Sequence, residues 1–480
     1  MKLFNVKLTT LKSKLYAIVF ASFVVRVVAF FMLPNTPSSL GPDEGTYASA
    51  AHWTALGKPA AEFPSYGAGL YTSGRSLLLP AAFFNKIGFT QLNSVRLTAL
   101  LYGFLTLCLV AVFIVKASSK YPKFTDFTEQ HPRIFYLLFL TYTFLPSHFV
   151  WSILGLRESA TEFWVISAFA LLFLMLHLKE KASLFTLCVL IVSITMIFSA
   201  RPQVGWVFGC TVLLYLLGKL RNQIARVLIP VTTIGILLGY LATVELSLEV
   251  STVYTAITAT SSPTATSSPT ATTEAEYQAS LLCKNVDGEV EMNGVKYWCL
   301  SKTIEKKALN LKNPGSLVLD QVGTIPYHHE VNKLDAASVI ETQSCPIVET
   351  SRLDNYICIA YRAPYTTYTF LFRPMLGLDV TSYSSLFAAV ENIFWLGAAL
   401  FVLLLFFRNR RLAFFGPLVP SIMFCSIYCI AAGAYEGNMG TAFRHKSLIL
   451  WVVLLLIAST IAATKQRKAE QEGISGSSQE

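Results

Sequence analysis

Residues 41–57 read GPDEGTYASAAHWTALG and follow the first long apolar run of the chain. The Gly-Pro pair ends the preceding helix, and Asp43 or Glu44 can then begin a new one, because free N–H groups at a helix N-terminus favour negative charge. Apolar residues recur at helical spacing from Tyr47 to Leu56, which predicts a helix along a membrane surface. The stretch therefore holds two adjacent carboxylates where water meets lipid. An ordinary helix cap on an external loop is the competing interpretation.

The composition is that of a polytopic membrane protein. Of 480 residues, 54% are hydrophobic and 14% are charged, which is too apolar for a soluble enzyme of this length. Lysines precede the first run, but it lacks a small-residue cleavage site, so we interpret it as a retained span and not a signal peptide. Ten runs of roughly 16 to 23 residues can cross a bilayer when flanking residues help. They lie near residues 15–33, 96–115, 134–151, 159–177, 184–200, 203–218, 227–245, 385–407, 412–433 and 447–464.

The net charge of +10 follows from topology and does not indicate nucleic-acid binding. Basic residues collect at alternate ends of the apolar runs, which is the positive-inside pattern. This pattern predicts a multi-pass protein with both termini in the cytoplasm. The basic residues assigned to the cytoplasmic side are Lys2, Lys7, Lys12, Lys14, Lys116, Lys120, Lys123, Arg133, Lys179, Lys181, Lys219, Arg221, Arg226, Arg408, Arg410, Arg411, Lys465, Arg467 and Lys468.

The alternation divides the chain into four parts. A transmembrane core with the first outer loop covers residues 1–245, an external loop 246–368, the C-terminal spans 369–464 and a cytoplasmic tail 465–480. Residues 251–273 are almost entirely Ser, Thr, Ala and Pro, so they are predicted to be disordered or extended. Aromatic and aliphatic residues then return around four cysteines, which predicts a small external subdomain stapled by disulfides.

The cysteines suit an oxidising outer compartment. Pairing neighbours in sequence gives Cys283–Cys299 and Cys345–Cys358, although four cysteines allow three connectivities. Their spacing is not that of a zinc site. The other five lie in apolar runs and are interpreted as packing residues: Cys108, Cys188, Cys210, Cys425 and Cys429.

Three arginines stand close to the first two runs. Arg26 lies inside the first run, where a charge either faces a polar cavity or partner, or snorkels to the interface. Arg75 precedes residues 76–87, a stretch predicted to be a second interfacial helix, and Arg96 opens the second run. Both lie on the side of the acidic pair, and both can instead anchor helix ends.

The short outer turns carry further charges. Arg157 and Glu158 lie between the third and fourth runs, and Arg201 lies between the fifth and sixth. The last outer turn is rich in glycine and ends in Arg444, His445 and Lys446. A cationic group beside exposed N–H groups suits a phosphate. Anchoring to a lipid headgroup is the alternative.

Three segments carry a family resemblance: PDEGTY with ASAAHWTALG at 42–57, NSVRLTALLYGFLTL at 93–107, and LPSHFVWSILGLRESATEFWVISAFALLFL at 145–174. They are similar to the first outer loop, the Arg-led second span and the third and fourth spans of polytopic glycosyltransferases of the GT-C fold. The nearest type is family 39, which includes protein mannosyltransferases and the lipid A aminoarabinose transferase. The resemblance covers residues 10–220. The later FRP and GNMGTAFRHK stretches look more like bacterial polysaccharide-assembly members of this group.

The resemblance implies an all-α membrane enzyme that transfers a sugar from a polyprenyl-phosphate carrier to a glycan, lipid or protein acceptor, with inversion. It implies the inner membrane of a bacterium and a site on the periplasmic face. The acceptor hydroxyl needs a general base, for which Asp43, Glu44 and Glu158 are the candidates. The leaving phosphate needs cations. The candidate cations are Arg444, His445, Lys446, Arg201, Arg157, Arg96 and Arg75. No cofactor is required, although Asp43 and Glu44 can bind a divalent metal.

Two other functions stay open. A polysaccharide polymerase or ligase acting on lipid-linked oligosaccharides needs similar cations and a large outer loop. A lipid or glycan transporter would use Arg26 and the outer charges to line a path, although transporters usually show internal repeats and charges near the midplane.

Overall fold

The computed structural model describes residues 2–38, 41, 43–58, 74–178, 182–260, 288–292, 295–299, 352–380, 383–409, 415–435 and 439–477. Almost all of these residues are helical. In chain order the helices are α1 (Lys2–Met32), α2 (Glu44–Ala55), α3 (Arg75–Lys86), α4 (Gln91–Lys120), α5 (Pro122–Gln130), α6 (Pro132–Phe144), α7 (Pro146–Trp151), α8 (Glu158–Leu176), α9 (Leu184–Ala200), α10 (Pro202–Leu217), α11 (Gln223–Thr260), α12 (Arg352–Phe372), α13 (Tyr383–Asn409), α14 (Phe415–Tyr435), α15 (Met439–His445) and α16 (Ser447–Ser477). The strands β1 (Gly288–Met292) and β2 (Val295–Cys299) form one antiparallel hairpin.

Seven helices of the described chain are long and apolar enough to cross a membrane. The class predicted from composition, a helical integral membrane protein, is therefore confirmed. Helices α9 and α10 are apolar but have only 17 and 16 residues, fewer than the usual span of about 20. The seven apolar segments are Leu11–Met32, Gln91–Lys120, Glu158–Leu176, Gln223–Leu241, Ser385–Arg408, Gly416–Ala434 and Ser447–Lys465.

The predicted span at residues 134–151 consists of two helices and not of one, and its crossing of the membrane stays a prediction. Helix α6 ends at Phe144 and α7 begins at Pro146. Leu145 between them has φ −58° and ψ 133°. A proline disfavours helical backbone at the residue before it, which explains the break. The chain then bends again over residues 152–157 before α8 begins.

Arg26 is fully buried at this break, so its side chain does not snorkel to the interface. Its Nη2 donates to the carbonyl oxygen of Thr143 at 2.8 Å, and its Nε donates to Ser152 Oγ at 2.7 Å. The guanidinium carbon lies 5.0 Å from the ring centroid of Phe149. Carbonyl groups in the last turn of a helix lack intrahelical partners. Arg26 therefore satisfies a carbonyl that the break exposes and ties α1 to both sides of it.

Within the described residues, the apolar side chains form two cores. The larger one runs through the helix bundle and includes Leu107, Phe169 and Phe424. The smaller one joins α2 and α3 to the start of α4, to the bend after α7 and to α13 and α15 through residues such as Tyr47 and Leu77. Helices α2 and α3, which the sequence predicts as interfacial, are thus packed firmly on one end of the bundle. This packing gives the acidic residues before α2 fixed positions.

Part of the external loop lies within the described residues. Helix α11 continues to Thr260, so the prediction of extended or disordered chain is wrong for residues 251–260. These residues contain no proline, which allows the helix to continue, whereas the first proline of the tract is Pro263. The remainder of the tract, 261–273, lies outside the described residues.

The disulfide predictions also fall largely outside the described chain. Cys299 is the last residue of β2 and Cys358 lies in α12. Cys283 and Cys345 lie outside the described residues, so both pairings stay predictions. The five cysteines in the apolar helices are free thiols, and of these Cys429 is buried.

Basic side chains gather at one end of the bundle. Arg467 in α16 donates through Nη1 to the carbonyl oxygen of Arg408 in α13 at 2.6 Å. Lys14 in α1 lies over the ring of Tyr136 in α6, with Nζ 5.2 Å from its centroid. Basic segments from four helices thus meet at one end, which we call the basic end. Asp43 and Glu44 lie at the opposite end.

Candidate functional site

Asp43 meets Arg444 across 401 residues of chain. Asp43 occupies the N-cap position of α2, but its side chain makes no capping hydrogen bond. Instead Asp43 Oδ2 accepts from Arg444 Nη1 at 2.7 Å, and Arg444 Nη2 also bonds Thr441 Oγ1 at 3.0 Å. The Asp43 side chain is 51% exposed and that of Arg444 is 13% exposed. This contact is therefore accessible from outside, and it argues against a simple helix cap.

A second ion pair lies beside the first. Glu158 begins α8 and accepts through Oε1 from Arg201 Nη2 at 2.5 Å. Arg444, His445 and Arg157 are close enough to act on the Glu158 carboxylate electrostatically. We call the group of Asp43, Arg157, Glu158, Arg201, Arg444 and His445 the outer charged cluster.

The outer charged cluster has an excess of positive charge, with three arginines and one histidine against two carboxylates. Burial alone would lower the pKa of Arg444, but Glu158 and then Asp43 raise the pKa above its ordinary value. Arg444 therefore stays cationic at all physiological pH values. An anion that enters the cluster meets cations that are already in position. Arg444 is one of them, and its partner Asp43 is half-exposed.

Tyr47 lies beside the outer charged cluster and was not selected by sequence reasoning. It is 4% exposed and lies close enough to Arg157, Glu158 and Arg201 to feel their charges. Burial, the largest effect, raises the pKa of its hydroxyl above the ordinary value, so the group stays protonated. Its position four residues after Asp43 was a usable signal, because residues at that spacing share one helix face.

Glu44 has a different environment from its neighbour Asp43. Its Oε1 accepts from Arg96 Nε at 2.7 Å and from the Gly155 amide at 2.8 Å. Its Oε2 accepts from Arg96 Nη2 at 2.8 Å and from the Ser38 amide at 3.1 Å. The side chains of Glu44 and Arg96 are 0% and 1% exposed. Both are saturated by structural contacts, which favours a structural role for each over the base and phosphate roles.

Arg96 also binds the chain segment before α2. Its Nη1 donates to the carbonyl oxygen of Pro34 at 2.7 Å, and its Nη2 donates to that of Thr36 at 2.9 Å. One guanidinium therefore joins α4 to the end of the first span and to α2. This contact fixes where Asp43 stands.

Replacing Gly155 with alanine is expected to disturb this arrangement. A Cβ at Gly155 would lie 2.4 Å from Cγ2 and 2.9 Å from Cβ of Val95, a stiff β-branched side chain. Overpacking of this kind costs about 1–3 kcal/mol. We expect a lower melting temperature in detergent and weaker binding of any ligand at the cluster. Gly397→Ala, where no atom lies within 4 Å of the new Cβ, is the control and should melt no lower than wild type, because alanine favours a helix interior over glycine.

Lys446 has its hydrogen-bond partners outside the cluster. Lys446 is fully buried behind the cluster, where Nζ donates to Asn392 Oδ1 at 2.6 Å and to the carbonyl oxygen of Arg373 at 3.1 Å. Burial, the main cause, lowers the pKa of Lys446 to about 7. Arg75 begins α3, the helix that packs against α2. Arg157, Arg201, Arg444 and His445 are thus the predicted cations that gather around Glu158.

A separate polar group lies inside the bundle, and we call it the inner polar cluster. Tyr142 Oη donates to Glu162 Oε1 at 2.8 Å, and His148 Nδ1 lies 2.9 Å from Glu162 Oε2. The rings of Tyr142 and His148 stack with centroids 4.5 Å apart. Among the described residues no hydrogen-bond partner contacts His148 Nε2, although the atom is buried.

Metal binding by the acidic pair receives little support from the geometry. The four N–H donors around Glu44 occupy the oxygens that a metal shared with Asp43 would need. Within the part of the chain that the structure describes, no group of three or more His, Cys, Asp or Glu side chains is placed to hold a metal ion.

The geometry defines a helical membrane protein with a charged, partly exposed cluster at one end of its bundle. Comparisons of the chain with protein-family models, with curated proteins and with solved structures find no match.

Proposed function

We propose that the protein is a membrane glycosyltransferase that moves a sugar from a polyprenyl-phosphate carrier to an acceptor on the outer face of a bacterial inner membrane. The observation that carries this proposal is the Asp43–Arg444 contact, in which an accessible carboxylate touches an accessible cation beside three further cationic side chains. Sugar transfer from a lipid phosphate needs both kinds of group within one site. The acceptor is a glycan, lipid or protein.

Asp43 serves as the general base in this proposal. It is the carboxylate of the acidic pair with solvent access, whereas Glu44 is enclosed. When the donor phosphate takes over the guanidinium of Arg444, Asp43 loses its ion-pair partner and can accept the proton of the acceptor hydroxyl. Base catalysis of this kind contributes about 10²–10⁴-fold to a rate. Direct displacement then inverts the anomeric centre.

The arginines stabilise the phosphate as it leaves. Negative charge develops on the bridging oxygen when the glycosidic bond breaks, and fixed cations lower the energy of that state. Arg444 can form a charge-assisted contact to the phosphate, since its present partner is a half-exposed side chain. Arg201 is 8% exposed and paired with Glu158, so it stabilises the phosphate through its charge and not by direct contact.

The test is a turnover assay with purified protein in lipid nanodiscs. A panel of radiolabelled polyprenyl-phosphate sugars is supplied with crude acceptor extract, and free polyprenyl phosphate is scored. Release that depends on the protein and on the acceptor supports the proposal. No release with any donor, including lipid-linked oligosaccharides, contradicts it. A ladder of product lengths would identify the polymerase alternative instead.

Arg444→Ala is expected to weaken donor use. The side chain contributes one charged hydrogen bond to the phosphate, and contacts of this class are worth about 1.5–3 kcal/mol, or roughly 10–150-fold in apparent donor affinity. The measurement is the donor concentration that gives half-maximal turnover. Arg226→Ala, which removes an exposed arginine remote from the cluster, is the control. An unchanged donor affinity for Arg444→Ala would refute the phosphate role.

The inner polar cluster favours a second candidate function, a lipid or glycan transporter. Ionisable groups inside a helix bundle often mark ion or proton paths, and buried His148 and Glu162 fit that description. The discriminating measurement is movement of a fluorescent lipid-linked glycan between leaflets of reconstituted vesicles. Movement that is lost in His148→Ala, without any sugar transfer, would support the transporter.

A further inference from the structure

A largely apolar cavity of about 150 Å³ lies towards the basic end of the bundle. Its wall is formed by α4, α6, α8, α10, α14 and α16, with Phe113, Ala170, Leu172, Val212, Leu454 and Ala458 among the lining residues. Helix α8 begins at Glu158 in the outer charged cluster and reaches the cavity through its second half. At 1.5 Å per residue, the cavity residues from Ile166 to His177 lie about 12 to 28 Å from Glu158 along that helix. The cavity is therefore distinct from the outer charged cluster.

The cavity has a polar edge at the basic end. His177 Nε2 lies 3.2 Å from Tyr215 Oη, and both residues line the cavity. Lys219 Nζ lies 6.0 Å from the ring centroid of Tyr215. Burial and then Lys219 lower the pKa of His177, which places the lysine charge close to this edge. The interior of the cavity is thus largely apolar, and a lysine lies at its edge.

The neighbouring surface of α10 is apolar. Leu214 and Leu217 on α10 are 56% and 49% exposed, although α10 is an apolar helix. Exposed leucines on such a helix face acyl chains in a bilayer. Tyr215 and Leu216, between them, line the cavity. The lipid-facing side and the cavity side of α10 therefore adjoin next to Lys219.

We propose that this cavity holds the end of one acyl chain of an anionic phospholipid, whose phosphate lies at Lys219 and Tyr215. Apolar cavities of this size exclude water and take up hydrocarbon-like ligands. Basic rims between transmembrane helices on the cytoplasmic side bind anionic headgroups. The proposal does not depend on the proposed sugar transfer, because it concerns the other end of the bundle.

The first test uses nanodiscs of phosphatidylcholine that contain a trace of phosphatidylglycerol with a photoactivatable group at the end of one acyl chain. Crosslinked residues are mapped by mass spectrometry. The expected result is labelling of cavity residues between Ile166 and His177 in α8. Ala170→Phe, which fills the cavity, should reduce this labelling to background. Val192→Phe, at a 46% exposed site on α9, should leave it unchanged. Labelling confined to exposed residues such as Leu217 overturns the proposal.

A second test on folded wild-type protein examines the headgroup and does not depend on the cavity-filling variant. The same chain label is placed on phosphatidylcholine and on phosphatidylglycerol. One lysine near an anionic headgroup predicts about fivefold more cavity labelling by phosphatidylglycerol, and Lys219→Gln should remove that preference. Equal labelling of the cavity by the two lipids in wild type overturns the anionic assignment and with it the proposal.

Discussion

Asp43→Asn is expected to lower the rate of sugar transfer by about 10²–10⁴-fold, which is the usual contribution of a general base. Asparagine keeps the size of the side chain but cannot accept the acceptor's proton. The protein should remain folded, because an ion pair with a half-exposed partner contributes only about 0–1 kcal/mol. The measurement is turnover per folded molecule in nanodiscs, with melting temperature measured on the same preparation. Donor affinity should not fall, since Arg444 is still present and no longer has to give up a charged partner to bind the phosphate.

Asp379→Asn is the matched control for this variant. Asp379 is also an aspartate paired with an arginine, Arg373, but the pair lies in the turn after α12, and Asp379 Oδ2 also accepts from the Met375 amide at 2.7 Å. The hydrogen bond from Arg373 lowers the pKa of Asp379, so its charge stabilises the fold above its ordinary pKa and this contribution is lost as pH falls through the lowered value. Its replacement should lower stability and leave the catalytic rate of folded protein intact. A fully active Asp43→Asn protein would remove Asp43 from the base role.

Removing one partner of the Glu44–Arg96 pair is expected to cost about 3–5 kcal/mol, because it leaves a buried charge uncompensated. Both side chains are at most 1% exposed, so water cannot replace the lost partner. Glu44→Gln leaves the guanidinium of Arg96 without a counter-charge, and Arg96→Gln leaves the carboxylate of Glu44 with only its two amide donors. Each single variant should therefore unfold at a lower temperature in mild detergent and give less monodisperse protein.

The double variant Glu44→Gln/Arg96→Gln separates charge from packing. Neutral amides can still accept from the Ser38 and Gly155 amides and donate to the carbonyl groups before α2. The double variant should therefore be less destabilised than the sum of the single ones, and the difference measures the coupling of the two charges. Additive losses would mean that the pair does not act as a unit. Activity of the double variant also reports whether Glu44 is needed beyond its structural contacts.

Several features of the fold could be expected from local sequence. The long apolar runs predict membrane helices. Within the run at 134–151, Pro146 predicts the helix break at Leu145. The serine and threonine content of residues 251–260 predicts extended chain, but these residues contain no proline to end helix α11. Tyr47 stands four residues after Asp43, and this spacing predicts that the two residues share one helix face.

The membrane class follows from the amino-acid sequence alone, because hydrophobic length and charge alternation are properties of short segments and need no knowledge of distant contacts. The sequence also identifies the acidic pair and the charged outer turns as candidate site residues. Only the tertiary structure separated Asp43 from Glu44. Adjacent carboxylates look alike in sequence, but their environments depend on partners 401 and 52 residues away, Arg444 and Arg96. Those distant contacts set the burial and pairing of each carboxylate. Asp43 is therefore half-exposed beside Arg444, whereas Glu44 is fully buried against Arg96.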